Sequence, residues 1–293
     1  MTFELTYNMS RGRAWVIDNR QRLRRIGLAL AISWFSAGLV WALWALPDTV
    51  DFVLWPLAVM LLAGVPLMTA LNAAEFHLMS RVAGTHIGCS ESLETTIYAS
   101  AANMLPIPGA VIARIAALKM RGTTIRASSA ITALFAGIWG AVAFCYVGIW
   151  FLVIGQEASG AAFTTTGVCL LGICFLATIK LRAQRSLLGQ AVAIRFAATV
   201  LGIVRQMLAI WSLGVAINFG EASVFAISGF FGNAMSIVPA GLGLREFVVA
   251  AAAHLIALPA AVGFLSAVII RIVDMVGLAA LAAILVIGKR NAP

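Results

Sequence analysis

Arg245 and Glu246 stand where a broken stretch of backbone gives way to a new apolar run, in the segment Asn233–Glu246 (NAMSIVPAGLGLRE). A proline and two glycines precede them: Pro239, Gly241 and Gly243. Such residues let the chain turn before a helix begins. A helix N-terminus attracts anions, and an adjacent arginine strengthens a phosphate or carboxylate site. The pattern predicts an anion-binding site; the alternative is an Arg-Glu ion pair that only holds the turn together.

An earlier stretch, Asn103–Arg114 (NMLPIPGAVIAR), has the same layout. Pro108 precedes Arg114 by six residues, which is also the spacing from Pro239 to Arg245. Arg114 is therefore a second candidate anion contact. The alternative is that its long side chain reaches out to a membrane interface.

A third group of charges interrupts the later apolar sequence. Arg271 and Asp274 lie three residues apart, on one face of a helix, and are predicted to pair, either lining a cavity or locking two helices together. Arg205 is predicted to lie near a membrane interface, with a cavity-lining position as the alternative. Secondary candidates are Asn103, Pro106, Pro108, Arg205 and Asn233.

The composition indicates an integral membrane protein of the all-α class. Of 293 residues, 62% are hydrophobic and 11% are charged, and the mean hydropathy is +1.01. Soluble domains carry about 25% charged residues. The net charge of +9 is explained by basic residues at the cytoplasmic ends of membrane spans, so nucleic acid is not a predicted partner.

The chemical motifs of enzymes and metalloproteins are not found in this sequence. Its four cysteines form no C-x-x-C pair, so neither a zinc site nor a disulfide framework is predicted. The sequence has no G-x-S-x-G or H-E-x-x-H motif and no acidic cluster suited to magnesium. We therefore expect a protein that is not an enzyme and has no cofactor.

The apolar runs predict about six transmembrane helices in a single domain, residues 26–293, after a basic amino-terminal region at 1–25. Inner segments are basic and outer loops are acidic, which places both termini in the cytoplasm and the protein in the inner membrane. The expected spans are Ile26–Leu46, Phe52–Leu71, Ile131–Ile154, Gly160–Ile179, one crossing within Leu187–Phe219, and Ala260–Ile287. Within Leu187–Phe219, Arg195 is expected on an interfacial lead-in, and Glu75, His77 and Arg81 are expected at a membrane boundary.

Two segments, residues 87–122 and 222–257, are too interrupted to cross as single spans and are predicted to be re-entrant helical hairpins. Three crossings separate Pro108 from Pro239, so the hairpins would enter from opposite faces. Paired broken segments of this kind are typical of inverted-repeat transporters.

The stretch Asn233–Leu281 resembles the carboxy-terminal signature of the flippase-like family, which contains the membrane domain of lysylphosphatidylglycerol synthases. Seven residues fit that family's two motifs: Pro106, Arg114, Pro239, Gly241, Gly243, Glu246 and Arg271. The family's Gly-Glu pair is replaced by Ala110 and Val111. The resemblance implies two re-entrant hairpins and movement of lipids across the membrane. The synthase activity is not expected, because an aminoacyl-transferase domain has no counterpart in these 293 residues.

These patterns predict a protein that moves a lipid with an anionic or zwitterionic headgroup, of the phospholipid or polyprenyl-phosphate type, between leaflets. Its predicted partners are membrane lipids. A small-solute secondary transporter is one alternative. Another is a non-transporting partner of an envelope glycolipid or polysaccharide synthase, and a homo-oligomer is left open.

Overall fold

The structure, a computed structural model, describes residues 20–46, 51–103, 109–180, 185–228, 230 and 243–290. Helices are the only regular secondary structure in these ranges, which confirms the predicted all-α class. The helices in chain order are α1 (Arg20–Trp44), α2 (Trp55–Val82), α3 (Cys89–Asn103), α4 (Gly109–Met120), α5 (Ile125–Val153), α6 (Glu157–Lys180), α7 (Arg185–Trp211), α8 (Phe219–Ser223), α9 (Leu244–Ala253) and α10 (Ala260–Arg290).

Five of the described helices are long and apolar enough to cross a membrane, which agrees with the prediction of an integral membrane protein. They are α2, α5, α6, α7 and α10. In α1 the apolar part, Ile32–Trp44, is shorter. Many large apolar side chains on these helices are exposed, as expected of surfaces that contact lipid.

Two helices extend beyond the stretches that the sequence predicted as spans. Phe52–Leu71 was expected to be a whole span, but α2 continues as helix to Val82 and carries Glu75 within it. The interfacial lead-in expected before the fifth span is absent from the described chain at this point, because α7 is one continuous helix from Arg185 to Trp211. In both cases a charged residue was taken to mark a membrane boundary, and the structure shows that residue, Glu75 or Arg195, buried within a continuous helix.

The helix α2 contains one π-helical turn, Met60–Gly64. Pro66 follows it, and a proline in a helix has no N–H to give to the carbonyl four residues earlier. The widened turn therefore accommodates a backbone that cannot keep the regular hydrogen-bond pattern. It also places Gly64 against another helix, as described below.

The first predicted hairpin corresponds to α3 and α4, which pack against each other, against α2 and α5, and against α10. Their exposed ends are joined by an ion pair between Arg121 and Glu91. At 15 and 12 residues, α3 and α4 would be about 22 and 18 Å long, shorter than the roughly 30 Å of hydrocarbon in a bilayer. The link between them, with Pro106 and Pro108, lies outside the described residues.

The second predicted hairpin is described at its two ends. The helix α8 starts at a capping box in which the Asn218 side chain accepts from the Glu221 N–H at 2.9 Å and the Glu221 carboxylate accepts from the Asn218 N–H at 2.8 Å. The helix α9 starts after Gly243, whose φ of +83° is in the region that glycine adopts most easily. Asn233, Pro239 and Gly241 lie outside the described residues.

The helix α7 contributes side chains to each of the large apolar cores. Leu187 and Ala191 belong to a core shared with α2, α4 and α5, and Ile203 and Ile210 belong to another shared with α1, α9 and α10. A third core places Leu208 against the π turn of α2 and against α10. The helices of these cores therefore pack on one central helix, α7.

Candidate functional site

A first group of buried charges, here called cluster A, consists of Glu75, Arg114 and Arg195. The Glu75 side chain on α2 is fully buried. From α7, Arg195 donates through Nε and Nη2 to both carboxylate oxygens of Glu75. Its guanidinium also lies 4.9 Å from the centroid of the Trp139 ring, a cation–π contact. Glu75 and Arg195 thus form a fork-like pair that ties α2 to α7.

Arg114 from α4 approaches the same carboxylate less closely. Its Nη1 lies 3.6 Å from the Glu75 Oε2, which is an ion pair without hydrogen-bond distance. The Arg114 Nε is buried and has no hydrogen-bond partner in the described part of the chain. Arg114 is therefore the less satisfied of the two arginines in cluster A.

A second group, cluster B, consists of Arg205, Arg245, Glu246, Arg271 and Asp274. Its fully buried member is Glu246, near the start of α9. The Glu246 Oε1 accepts from Arg271 Nε at 2.8 Å and lies 2.8 Å from Arg271 Nη2 in an ion pair, and Oε2 accepts from the Gly243 N–H at 2.9 Å. Glu246 therefore caps its own helix and holds α9 against α10.

The other carboxylate of cluster B, Asp274 on α10, pairs with Arg205 Nη2 from α7. The Arg205 side chain is 6% exposed. It passes Gly64 in the π turn of α2, where an added Cβ would lie 3.3 Å from its Cγ and Cδ. Because Gly64 has no side chain, the Arg205 side chain fits between α2 and α7 at this point.

Arg245 is the remaining cation of cluster B. It is the second residue of α9, and its electrostatic neighbours are Asp274 and Glu246, which attract it, and Arg271 and Arg205, which repel it. Its Nε is buried, and within the described ranges it has no hydrogen-bond partner. Both nearby carboxylates already pair with other arginines, Asp274 with Arg205 and Glu246 with Arg271. Arg245 is therefore the arginine of cluster B that has no carboxylate to itself within the described ranges.

Each cluster carries one more positive than negative charge. Cluster A has two arginines and one carboxylate, and cluster B has three arginines and two carboxylates. This count covers the described residues. An excess charge in a low-dielectric interior is costly unless it meets a counter-ion. Both sites therefore suit an anionic ligand.

The structure brings together most of the predicted site residues. Gly243, Arg245, Glu246, Arg271 and Asp274 converge in cluster B, and Arg114 lies in cluster A. Asn103 is the last residue of α3. The remaining predicted site residues fall outside the described ranges: Pro106, Pro108, Asn233, Pro239 and Gly241.

Several expectations about these charges need correction. Arg205 is buried and paired rather than reaching to an interface. Arg271 and Asp274 were expected to pair with each other, yet each binds a residue of another helix, Glu246 and Arg205. The short spacing along one helix showed only that such a pair was possible, whereas packing supplies partners from elsewhere.

Glu75 and Arg195 were not predicted as site residues, because both were assigned to membrane boundaries. Glu75 is fully buried and Arg195 is 7% exposed. A signal was present in the sequence: each lies in a stretch that is otherwise apolar enough to continue as a span. Charges inside such stretches are paired or functional by default.

Comparison with known proteins gives no identification. No protein-family model matches this chain, and no curated protein matches it. The resemblance to the flippase-like family therefore stays a prediction that rests on the motifs quoted above.

Proposed function

We propose that this protein moves a lipid with an anionic or zwitterionic headgroup between the two leaflets of the inner membrane. The observation that carries the proposal is the excess arginine in each buried charge cluster. Arg114 and Arg245 each follow a proline by six residues, and each has a buried Nε with no hydrogen-bond partner in the described ranges. The resemblance of Asn233–Leu281 to the flippase-like family supports the same proposal.

The topology proposed with this function has six spans, both termini in the cytoplasm, and two re-entrant hairpins that enter from opposite faces. The shortness of α3 and α4, and their packing on each other, support the first hairpin. The second hairpin rests on the predicted break before Arg245 and on the short helices α8 and α9 on either side of it. Irregular backbone within a membrane is tolerated only where protein surrounds it or where it lines a water-filled cavity.

In the proposed mechanism the headgroup leaves the interface and contacts the excess arginines, while the acyl or prenyl chains stay in lipid. The clusters replace part of the headgroup's hydration with charge-assisted hydrogen bonds, which are stronger than those between neutral groups. Outward-facing apolar side chains such as Leu62, Ile173 and Ile272 give the chains an apolar surface to follow. The barrier to flipping falls because the headgroup is not transferred bare into hydrocarbon.

The test is translocation of fluorescent phospholipid and polyprenyl-phosphate analogues in liposomes that contain the purified protein. We expect accelerated flipping in the wild type, and a loss of about tenfold or more in Arg245→Gln, since one charge-assisted hydrogen bond contributes about 1.5–3 kcal/mol. Arg245 is a better target than Glu246, because Glu246 also caps α9 and holds Arg271.

The matched control is Arg121→Gln, which removes one positive charge from the exposed pair with Glu91 and should leave flipping unchanged. Flipping that Arg245→Gln leaves intact would exclude cluster B as the site. If the wild type flips neither analogue but accumulates a soluble solute in response to an ion gradient, the protein is a small-solute transporter instead.

A further inference from the structure

The helix α7 carries one arginine of each cluster, Arg195 of cluster A and Arg205 of cluster B. The two residues are ten positions apart, which at 1.5 Å per residue separates their Cα atoms by about 15 Å along the axis. Gly202 lies between them, seven residues after Arg195 and three before Arg205. A feature of α7 at Gly202 therefore lies between the two clusters.

Gly202 is on the face of α7 that is turned towards the protein interior. In a helix of 3.6 residues per turn, this face also includes the residues seven and three before it and those four and seven after it. All four are buried, with 7% exposure or less: Arg195, Thr199, Gln206 and Ala209. The exposed residues Ala193 and Ala197 lie on the opposite side of the helix. Gly202 therefore does not face the lipid.

The packing of α7 has a gap at Gly202. Although its neighbours on the same face are buried, Gly202 itself is only partly buried. A Cβ added there would meet no described atom within 4 Å. Gly64 and Gly277 differ, because an added Cβ would lie 3.3 Å from the Arg205 side chain at Gly64 and 2.8 Å from Val65 at Gly277. Those glycines allow contact between helices, whereas Gly202 borders a space.

Polar side chains flank this gap along α7. The Thr199 hydroxyl donates to the Arg195 carbonyl oxygen at 2.8 Å, and its oxygen keeps lone pairs that can accept from water. The Gln206 Nε2 donates to the Ser266 Oγ at 2.6 Å and has a second hydrogen to give. Polar cavities hold ordered water, whereas cavities that stay empty are apolar. The gap is therefore suited to water.

We propose that the gap at Gly202 is a water-filled passage between clusters A and B, and that the missing side chain at Gly202 sets its width. This proposal rests on the proposed function, because the clusters are taken as contacts of the headgroup. The headgroup passes Gly202 on its way from one cluster to the other. Gly202 is thus a positioning residue that acts through the space it leaves.

The reactivity of a cysteine at position 202 tests for water in the gap. The background is the full chain with its four native cysteines replaced by serine, in open membrane fragments. The probe is 2-sulfonatoethyl methanethiosulfonate, a small charged reagent that dissolves in water. We expect it to modify Gly202→Cys at least about tenfold faster than a cysteine that faces lipid, since the charged reagent and the thiolate both avoid hydrocarbon.

The matched control that faces lipid is Gly172→Cys. A Cβ at Gly172 also meets no described atom within 4 Å, but Gly172 is exposed on α6. Gly172 lies eight residues before the end of α6, and Gly202 lies nine residues before the end of α7. The two positions are therefore similarly far from a helix end.

Added bulk at position 202 tests the passage itself. Gly202→Leu should slow flipping of the fluorescent lipid analogues by about tenfold or more, which corresponds to about 1.4 kcal/mol in the barrier. Gly202→Ala adds one carbon and should slow flipping less, and Gly172→Leu should leave it unchanged. Modification of Gly202→Cys by the reagent should also slow flipping, and dithiothreitol should restore the rate. This reversal separates a blocked passage from loss of the fold.

Equal reactivity of Gly202→Cys and Gly172→Cys would overturn the water-filled gap. A reactive Gly202→Cys, with flipping unchanged both in Gly202→Leu and after modification, would overturn the passage and leave the proposed function standing. A reactive Gly202→Cys in a protein whose wild type flips no lipid analogue would overturn the proposed function and leave the water-filled gap standing.

Discussion

At the scale of single residues, the charges of clusters A and B form two groups. Some are paired with each other and hold helices together, and others are incompletely paired and could contact a ligand. Glu75 and Glu246 are fully buried, and each pairs with an arginine from another helix: Arg195 donates two hydrogen bonds to Glu75, and Arg271 donates one to Glu246. Removing one member of such a pair leaves the other charged and uncompensated. Arg114 and Arg245 differ, since their removal leaves the hydrogen bonds of the Glu75–Arg195 and Glu246–Arg271 pairs in place.

The Glu75–Arg195 pair provides a test of this division. Glu75→Gln leaves the buried Arg195 and the partly buried Arg114 without a counter-charge, so we expect it to lower the free energy of unfolding by about 3–5 kcal/mol. Glu75→Gln combined with Arg195→Gln should cost less than the sum of the two single substitutions, because the double variant has no charged survivor of the pair. Unfolding in mixtures of sodium dodecyl sulfate and mild detergent measures all three values.

The control for that cycle is Arg114→Gln, which should destabilise the protein much less than Glu75→Gln because Glu75 keeps both hydrogen bonds from Arg195. Additive effects of the Glu75 and Arg195 substitutions would show that the pair does not contribute as a unit.

At the scale of elements, α5 and α6 form the most closely packed pair of helices in the described chain. Small residues on α6 allow this approach: a Cβ added at Gly167 would lie 2.6 Å from the backbone nitrogen of Cys145 and 2.9 Å from the carbonyl oxygen of Ala141. Most of α6 is otherwise exposed, and only 17% of its most apolar 18-residue stretch is buried. The helix is therefore held to the rest of the protein mainly through α5.

Two glycines on α6 give a matched comparison. Gly167→Ala should destabilise the protein by about 1–3 kcal/mol, because the clash is with backbone atoms that cannot move independently. Gly172→Ala should be neutral or stabilising by up to about 1 kcal/mol, because an added Cβ there meets no described atom within 4 Å and alanine favours helix. Thermal unfolding in detergent compares the two, and equal effects would show that α5 and α6 are not closely packed at Gly167.

At the scale of the whole molecule, basic inner segments and acidic outer loops predict that the turn between α5 and α6 faces outward and that the start of α5 faces the cytoplasm. The turn between α5 and α6 contains exposed Gln156, and the opposite end of α5 contains exposed Arg126. The 29 residues of α5 would span about 43 Å, enough to place these ends on opposite sides of the membrane.

Cysteine labelling tests this orientation. In a variant whose four native cysteines are replaced by serine, Gln156→Cys should react with a membrane-impermeant maleimide added to intact cells or spheroplasts. Arg126→Cys should react only after the membrane is permeabilised. The reverse pattern would invert the proposed topology, and labelling of both sites from outside would contradict a crossing by α5.

The sequence by itself determined the class of protein and the places where chemistry could occur. Long apolar runs are local signals, so the helical class and the membrane-spanning helices follow from hydropathy. The Pro-to-Arg spacing singled out Arg114 and Arg245, because backbone breaks and charges at membrane depth are both rare. What these residues bind and whether they carry transport are still predictions.

Only the tertiary structure decided which charges meet. Glu75 lies 120 residues from Arg195, and Arg205 lies 69 residues from Asp274. No local pattern connects such residues, and the nearest partner in sequence misled the interpretation of Arg271 and Asp274. A charge in an apolar segment can reach an interface or find a buried partner. The choice depends on what packs against it, here the central helix α7.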